Sequence, residues 1–169
     1  MIPAAGESFH SDSLDLPWAE SWAGDPRIQL KALMIDVEGA RYAVRMRFRA
    51  GLQVAPHKHT GEVHAYTLSG QWTYLEYAGS PPNVAGSYLF EPPGTTHTLQ
   101  IADDAGEWTE VLFILYGAML HYDEAGNVVA ITDAESVLAE YAQRLRDQDM
   151  PLPASLPIGG RMAYRALQN

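Results

Sequence analysis

GLQVAPHKHTGEVHAYTLSG spans residues 51–70 and GSYLFEPPGTTH spans residues 86–97; these two stretches decide the fold. In a β-strand, residues two positions apart point to the same face, so His57 and His59 are expected to point together. His97 follows the turn-forming Pro-Pro-Gly of the second stretch. Three imidazoles brought together in this way suit a divalent transition metal. The sequence therefore predicts one metal centre.

The two stretches resemble the two conserved motifs of the cupin superfamily. Eight positions agree in residue type and spacing: Gly51, His57, His59, Gly70, Gly86, Pro92, Gly94 and His97. Two positions depart from the motifs, because Val63 stands where the first has glutamate and Ile101 where the second has asparagine. The resemblance implies an all-β fold, the cupin barrel or double-stranded β-helix, which is jelly-roll-like. The usual carboxylate ligand is missing from its place.

Alternating apolar and polar residues, punctuated by glycine, predict the short strands of such a barrel. The predicted strands cover residues 28–35, 41–49, 63–68, 71–77, 87–91, 96–102 and 108–119, followed by a hairpin of 121–122 and 128–131. Arginines alternate along 41–49 and predict a basic, solvated outer face. A single domain is expected, with an irregular N-terminal arm (1–26), the barrel (27–131), one helix (132–146) and a tail (147–169). Thr132 and Glu135 have the spacing of a capping box for that helix.

Composition excludes several function classes. With 169 residues the chain can bury a core of its own, and its net charge of −10 argues against nucleic acid as a partner. It has no cysteine, so thiolate ligands and disulfides are excluded. We find no apolar run long enough to span a membrane and no signal-peptide pattern, and expect a cytoplasmic protein without a membrane partner.

His64 is the third histidine of the first stretch and has alternative interpretations. With a longer motif spacing it would occupy the glutamate position and bind the metal. Strand alternation opposes this, because Val63 and the residue two positions on would face inward while His64 faces outward. His64 would then either contact one of the metal-binding residues without binding the metal itself, or lie on the surface.

Glu76 is the carboxylate that the pattern favours for the site. Trp72, Tyr74 and Glu76 alternate and would share one face of a strand, with Val63 on the neighbouring strand. If that face is inward, Trp72, Tyr74 and Val63 line a substrate pocket, and Glu76 binds the metal or acts as a catalytic base. The alternative is a solvated Glu76 near a strand end. We expect Glu91, just before a proline, to be exposed.

Six aromatic residues of the predicted strands, Trp72 and Tyr74 among them, complete the pattern. A core position is expected for Tyr66, Trp72, Tyr74, Tyr88, Phe90 and Phe113. An interior lined by aromatic side chains would suit an aromatic or diketone substrate.

A narrower resemblance covers about residues 30–120 and is carried by the runs that begin at His57 and at Phe90. The chain resembles the 2,4'-dihydroxyacetophenone dioxygenase group, close to the acetylacetone-cleaving and ChrR-like cupins. Such enzymes use non-haem Fe(II) and dioxygen to cut a carbon–carbon bond next to a carbonyl. The resemblance implies Fe(II) at His57, His59 and His97, with Glu76 at a carboxylate position; Zn, Ni or Mn are alternative metals in a purified sample.

Three functions follow as expectations. The first is a dioxygenase that acts on a hydroxyketone or diketone, with a small carbonyl compound and dioxygen as partners. The second is a ChrR-like sensor of a metal or ligand, without catalysis. The third is a metal-dependent isomerase or lyase that works without oxygen. A homodimer or homotetramer is expected because the arm and the proline-rich tail need a surface to pack on.

Overall fold

The computed structural model describes residues 10–159. Within this range the chain forms thirteen strands and one α-helix. The strands are β1 (Ile28–Asp36), β2 (Arg41–Arg49), β3 (His57–His59), β4 (Val63–Ser69), β5 (Gln71–Tyr74), β6 (Asn83–Val84), β7 (Tyr88–Glu91), β8 (Thr96–His97), β9 (Leu99–Ile101), β10 (Trp108–Tyr116), β11 (Met119–Tyr122), β12 (Val128–Thr132) and β13 (Ile158–Gly159). The helix, α1, is Ala134–Asp147. The all-β architecture with one C-terminal helix is therefore confirmed.

Three sheets enclose one core. The larger sheet has the order β13-β1-β2-β10-β4-β7, and the smaller ones are β12-β11-β3-β8 and β6-β5-β9. Along β2, Tyr42, Val44 and Phe48 are buried at alternate positions, as the sequence pattern predicts. Their side chains point towards β3 and β9, whose residues line the same interior cavity. The barrel interior is thus where the functional site has to be sought.

The outer face of β2 differs from the prediction of a solvated basic face. The indole of Trp18, from the N-terminal arm, lies over it, with its ring centroid 4.4 Å from the guanidinium carbon of Arg47. Beside it, the Lys31 ammonium donates a hydrogen bond to the Ser13 carbonyl at 2.7 Å. The arm therefore covers part of this sheet's outer face, and cation–π contacts hold it there.

Several predicted strands are shorter than the alternating pattern. The run 71–77 stops at Tyr74, where the chain enters a 3₁₀ turn, Leu75–Tyr77. The long run from 108 is divided at Gly117, whose φ of 73° and close approach to Thr60 suit glycine alone. In the predicted tail, residues 158–159 form β13, which runs parallel to β1. Turns and pairing partners end these elements at points that periodicity does not mark.

Helix α1 begins two residues later than predicted. Asp133, not Thr132, is its N-cap, and it forms a reciprocal capping box with Ser136. The buried side of the helix carries Val137, Leu138, Tyr141 and Leu145. Within residues 10–159 no helix has the length and apolar character that crossing a membrane requires.

Three aromatic side chains predicted for the core lie outside it. Tyr66, Tyr88 and Phe90 are 45%, 60% and 49% exposed on the outer face of β4 and β7. The residues that alternate with them on β7, Leu89 and Glu91, point inward. Strand β7 therefore directs Glu91, and not the predicted aromatic residues, towards the interior.

Candidate metal centre

Three histidines meet because β3 and β8 are antiparallel neighbours. His57 and His97 are directly paired, and His59 lies two residues along β3 on the same face. One ring nitrogen from each histidine lies within 4.8 Å of those of the other two. The predicted trio is thus assembled by strand pairing, as the spacing of the two stretches suggested.

The three imidazoles are held in the neutral form that binds metal. Burial lowers the pKa of His59 to about 3 and that of His97 to about 4, because a charged ring would lose its hydration. Burial lowers the pKa of His57 as well. The Nδ1 atom of His57 lies 2.9 Å from the Ala55 carbonyl oxygen, a bond that fixes Nδ1 as donor and leaves Nε2 as the free lone pair. Both ring nitrogens of buried His97 lack a hydrogen-bond partner among the described residues.

Glu91 adds a buried carboxylate to the trio. It is only 4% exposed, and its Oε2 lies 3.3 Å from His97 Nε2 and 3.7 Å from His59 Nε2. Oε2 accepts no hydrogen bond from the described residues, whereas Oε1 accepts one from the Tyr74 hydroxyl. Burial raises the pKa of Glu91 to about 7. A carboxylate oxygen and imidazole nitrogens without partners, facing one another at these distances, form a donor set that fits a divalent cation.

Tyr74 connects the carboxylate to the histidines. Its ring stacks on that of His97, with centroids 4.0 Å apart and planes at 21°. Burial raises the pKa of its hydroxyl well above the usual value, so the group keeps its proton and donates a hydrogen bond to Glu91. Tyr74 lines the interior cavity, whereas Trp72 and Val63, which were expected beside it, are not among the lining residues. Trp72 lies behind it, fully buried, and donates a hydrogen bond to Thr67 instead.

Glu76, the carboxylate favoured by the pattern, lies elsewhere. It belongs to the 3₁₀ turn that follows β5, where strand alternation no longer applies, and it is exposed. Its Oε2 accepts a hydrogen bond from the Thr98 amide at 2.8 Å. Glu76 is therefore bound to a backbone amide beside His97, outside the group of donors, and the prediction of an inward-facing Glu76 is wrong.

His64 lies on the outer face of β4. Its Nδ1 is 2.7 Å from the Tyr88 hydroxyl and its Nε2 is 3.4 Å from a Glu62 carboxylate oxygen. The strand alternation that argued against His64 as a ligand describes its position correctly. The same alternation rules out a supporting contact with the three ligands, so His64 is a surface residue.

His121 is a neighbour of the site that the sequence interpretation did not include. It is paired with His57 across β3 and β11, and the two rings are 6.5 Å apart. Its Nε2 lies 2.9 Å from the Thr132 hydroxyl. The motif spacing cannot indicate it, because β11 is outside both motifs and joins β3 only through sheet pairing.

An interior cavity opens from the metal centre into the barrel. Apart from Tyr42, His57, His59, Tyr74, Glu91 and Thr132, its lining is apolar: Trp22, Leu30, Val44, Met46, Phe48, Val54, Leu99, Phe113, Leu115, Met119 and Val137. Among these lining residues there is no lysine or arginine. The space suits an uncharged ligand that presents a polar group to the histidines.

Comparison with known proteins agrees with this architecture. A family model described as the ChrR cupin-like domain matches residues 7–126. The chain belongs to this cupin family. A cupin-like protein of unknown function from Ralstonia eutropha JMP134 is 30% identical, with a TM-score of 0.84, over 94% of this chain and 96% of that chain.

Two more solved structures resemble this cupin. An RmlC-like cupin, also from Ralstonia eutropha JMP134, is 25% identical with a TM-score of 0.80, over 88% of this chain and 94% of that chain. An acetylacetone dioxygenase from Acinetobacter johnsonii is 17% identical with a TM-score of 0.69, over 85% of this chain and 99% of that chain, so it shares the fold alone. A search of curated proteins finds no match.

Glu91 explains how this cupin does without the glutamate of the first motif. Val63, at that glutamate's position, is the direct cross-strand partner of Glu91, and both side chains face inward. The side chains of such partners are about 5 Å apart. The carboxylate is thus supplied from β7 instead of β4. The expectation that Glu91 is exposed is wrong, because the alternation of β7 continues to its last residue and directs Glu91 inward.

Proposed function

We propose that this cupin is a metal-dependent dioxygenase that cleaves a carbon–carbon bond next to a carbonyl. The observation that supports it best is the combination of three neutral histidines, a buried carboxylate and an apolar cavity in one place. His57, His59 and His97 would hold the metal, for which Fe(II) is our proposal and Zn, Ni or Mn are alternatives. When bound, such a metal supplies Lewis acidity towards a carbonyl oxygen and, as Fe(II), reactivity towards dioxygen.

Glu91 has the properties of a general base in this reaction. The hydrogens on a carbon between or beside carbonyls are acidic, and an enolate forms once one of them is removed. Burial raises the pKa of Glu91 to about 7 in the metal-free protein, and a cation at the histidines would lower it, so the carboxylate would be ionised and able to accept a proton. Tyr74 holds one carboxylate oxygen, which leaves Oε2 directed at the histidines. Glu91 would therefore receive the substrate proton beside the metal.

The apolar lining keeps water away from the enolate. Phe113, Leu115 and Met119 line the cavity without offering a side-chain hydrogen bond. Electrostatic interactions are stronger in such surroundings than in water. A hydroxyketone or diketone, uncharged before it loses a proton, meets these conditions.

Oxygen consumption tests the proposal. The protein is reconstituted anaerobically with Fe(II), its metal content is measured, and oxygen uptake is followed with a panel of diketones and hydroxyketones. We expect uptake equal to the carbonyl compound consumed, with two carbonyl fragments as products. Absence of uptake with every compound, although the site is filled, would contradict the proposal. Turnover that continues without oxygen would favour the isomerase or lyase instead.

A sensor function is the second candidate, and the match to the ChrR cupin-like domain favours it. In that case the metal or a ligand would change the affinity for a protein partner and no substrate would be consumed. Affinity capture with the metal-loaded and the metal-free protein distinguishes the two functions. A partner retained in only one of the two states, together with absence of turnover, is the result expected of a sensor.

The homodimer or homotetramer stays a prediction. The exposed aromatic residues Tyr66, Tyr88 and Phe90 on the outer face of β4 and β7 support it. Sedimentation velocity at micromolar concentration measures the oligomeric state, and a monomer would contradict the prediction.

A further inference from the structure

Trp22, from the N-terminal arm, is part of the cavity wall. The arm pairs with β1 through Ala19 and Leu30, and then forms a 3₁₀ turn over Trp22–Gly24 just before β1 begins at Ile28. The Trp22 side chain is 6% exposed and lines the cavity together with Leu30 and Val137. One wall of the cavity therefore comes from outside the barrel.

Strand register places the segment that follows Trp22 at the opposite end of β2 from Glu91. Glu91 on β7 is paired with Val63 on β4, and Val63 is paired with Leu115 on β10. Leu115 is in turn paired with Tyr42 on β2. Ile28, which follows the Trp22 turn, is paired with Phe48, about six residues further along β2. Six residues of extended strand span about 20 Å. A ligand bound at the histidines thus extends towards Trp22 and away from the polar groups.

Several hydrogen bonds hold the arm against α1 and the residue that caps it. The Ala23 amide donates to a Glu140 carboxylate oxygen at 2.9 Å, and the Tyr141 hydroxyl donates to the Pro17 carbonyl at 2.7 Å. The Gln148 side-chain amide, at the C-terminal end of the helix, donates to the Trp18 carbonyl at 2.9 Å. These bonds fix the arm on both sides of the Trp22 turn.

The backbone on either side of Trp22 is also constrained. Ser21 and Ala23 have φ of 51° and 53°, an unfavourable region for residues other than glycine. Such a backbone persists only where its surroundings fix it, so the indole is a fixed wall.

We infer that the ligand of this cupin is an uncharged molecule whose apolar part fills the barrel as far as Trp22, and that Trp22 sets the largest apolar group accepted. The inference rests on the proposed function for the carbonyl end of the ligand. Its apolar end follows from Leu30, Phe48 and Val137 around Trp22. The absence of charge from its apolar part follows from a lining in which Glu91 is the one acid and no lysine or arginine is present.

Binding to the Zn(II)-loaded protein tests the inference without turnover. Calorimetry compares acetylacetone, benzoylacetone and naphthoylacetone, which differ in their apolar group, with acetoacetate, which carries a carboxylate. In the wild type we expect benzoylacetone to bind at least about tenfold more tightly than acetylacetone, because it buries more apolar surface. Acetoacetate can present its carboxylate to the zinc but has no apolar group for the far end of the cavity, so it is expected to bind more weakly than benzoylacetone.

Trp22→Leu enlarges the far end of the cavity, and Trp18→Leu is the matched control in the same arm. Trp18 lies on the outer sheet face, over Arg47. We expect Trp22→Leu to raise the affinity for naphthoylacetone about tenfold relative to wild type, and Trp18→Leu to change it less than about threefold. Trp22→Phe, a smaller change, provides an intermediate case if the leucine variant does not fold. Zinc content and thermal unfolding are recorded for each variant.

Several outcomes would overturn the inference. These are equal effects of the two leucine variants, tightest binding by acetoacetate, or no binding of any neutral ligand to the zinc-loaded wild type. Failure of the proposed function has a different signature, because an Fe(II) form that consumes no oxygen would leave the order of these zinc affinities unchanged.

Discussion

The end of β7 and the turn after β5 each bring a glutamate close to His97, but the two carboxylates have different surroundings. Glu91 is the last residue of a strand and points inward, with Oε2 3.3 Å from His97 Nε2. Glu76 follows a strand that has already ended, and its carboxylate accepts a hydrogen bond from the Thr98 amide at the surface. The difference teaches that alternation assigns a side chain to a face only while the strand continues.

Removing the histidine that both glutamates approach has the largest expected effect. We expect His97→Ala to weaken Zn(II) binding at least about 1000-fold, because one imidazole ligand of three is lost from the site. Competition with a chromophoric chelator measures the affinity. His64→Ala, on the outer face, is the control and is expected to bind as wild type does. Equal losses in both variants would mean that the site is not at His97.

Glu91→Gln and Glu76→Gln break the comparison directly. The Glu91→Gln variant would lack the negative charge that faces the metal, and we expect a loss of about 10- to 100-fold in Zn(II) affinity. Glu76→Gln keeps an oxygen that can accept the Thr98 hydrogen bond, so its loss should stay below about threefold. Chelator competition decides here as well, and a larger loss in Glu76→Gln would reverse our assignment of the two carboxylates.

The pH dependence of stability reports the burial of Glu91 in the metal-free protein. Burial raises its pKa from 4.5 to about 7, so the folded state favours the protonated form. The contribution of this protonation to the free energy of unfolding is fully present below about pH 4.5. It is lost as the pH rises through about 7. The amide introduced by Glu91→Gln does not ionise. We therefore expect this variant to gain roughly 2 kcal/mol over wild type between about pH 5 and pH 8.

Urea unfolding in the presence of a chelator measures this gain. The low pKa values of His59 and His97 act in the opposite direction, because neutral histidines give stability that is lost as the pH falls from 6.5 towards about 3 to 4. Glu91 contacts both rings, so its replacement also changes their titration; at about pH 8 the histidines are neutral in the folded and the unfolded protein, and the difference there reports Glu91 alone. Parallel pH curves for the two proteins would contradict a buried, titrating Glu91.

Moving the carboxylate from Glu91 on β7 to position 63 on β4 tests whether the strand that supplies it matters. Val63 and Glu91 are cross-strand partners on the inner face, so the Val63→Glu, Glu91→Val double variant exchanges their side chains. We expect it to bind Zn(II) about tenfold more tightly than Glu91→Val alone. Val63→Glu by itself is the control, and it should be destabilised because two carboxylates would face each other in the core. If the double variant binds Zn(II) no more tightly than Glu91→Val alone, a carboxylate on β4 cannot replace the one on β7.

Tyr74→Phe has the smallest expected effect. It removes the hydroxyl that holds Glu91 and keeps the ring that stacks on His97. We expect a loss of about threefold to tenfold in Zn(II) affinity, since one oxygen of the carboxylate is no longer fixed. The control is Tyr77→Phe, at an exposed position in the turn that carries Glu76. Identical affinities for these two variants would mean that Tyr74 does not position Glu91.

The sequence predicts those parts of the site that depend on local spacing. His57 and His59 share a strand face, and the turn before His97 delivers the third imidazole, so the trio follows from two short stretches. The alternation of β7 predicts an inward-facing Glu91 only if the aromatic side chains of Tyr88 and Phe90 lie on the outer face. His121 could not be predicted, because only the pairing of β11 with β3 brings it to His57.

By itself, the sequence determined the all-β barrel, the C-terminal helix and the three histidines, because each depends on a period or a spacing that a short segment contains. Only the tertiary structure decided which carboxylate faces them and where the cavity ends. Val63 meets Glu91, and the segment after the Trp22 turn meets the Phe48 end of β2, through strand pairing between distant segments. Burial and neighbours of this kind are set when the sheets assemble, and no local pattern contains them.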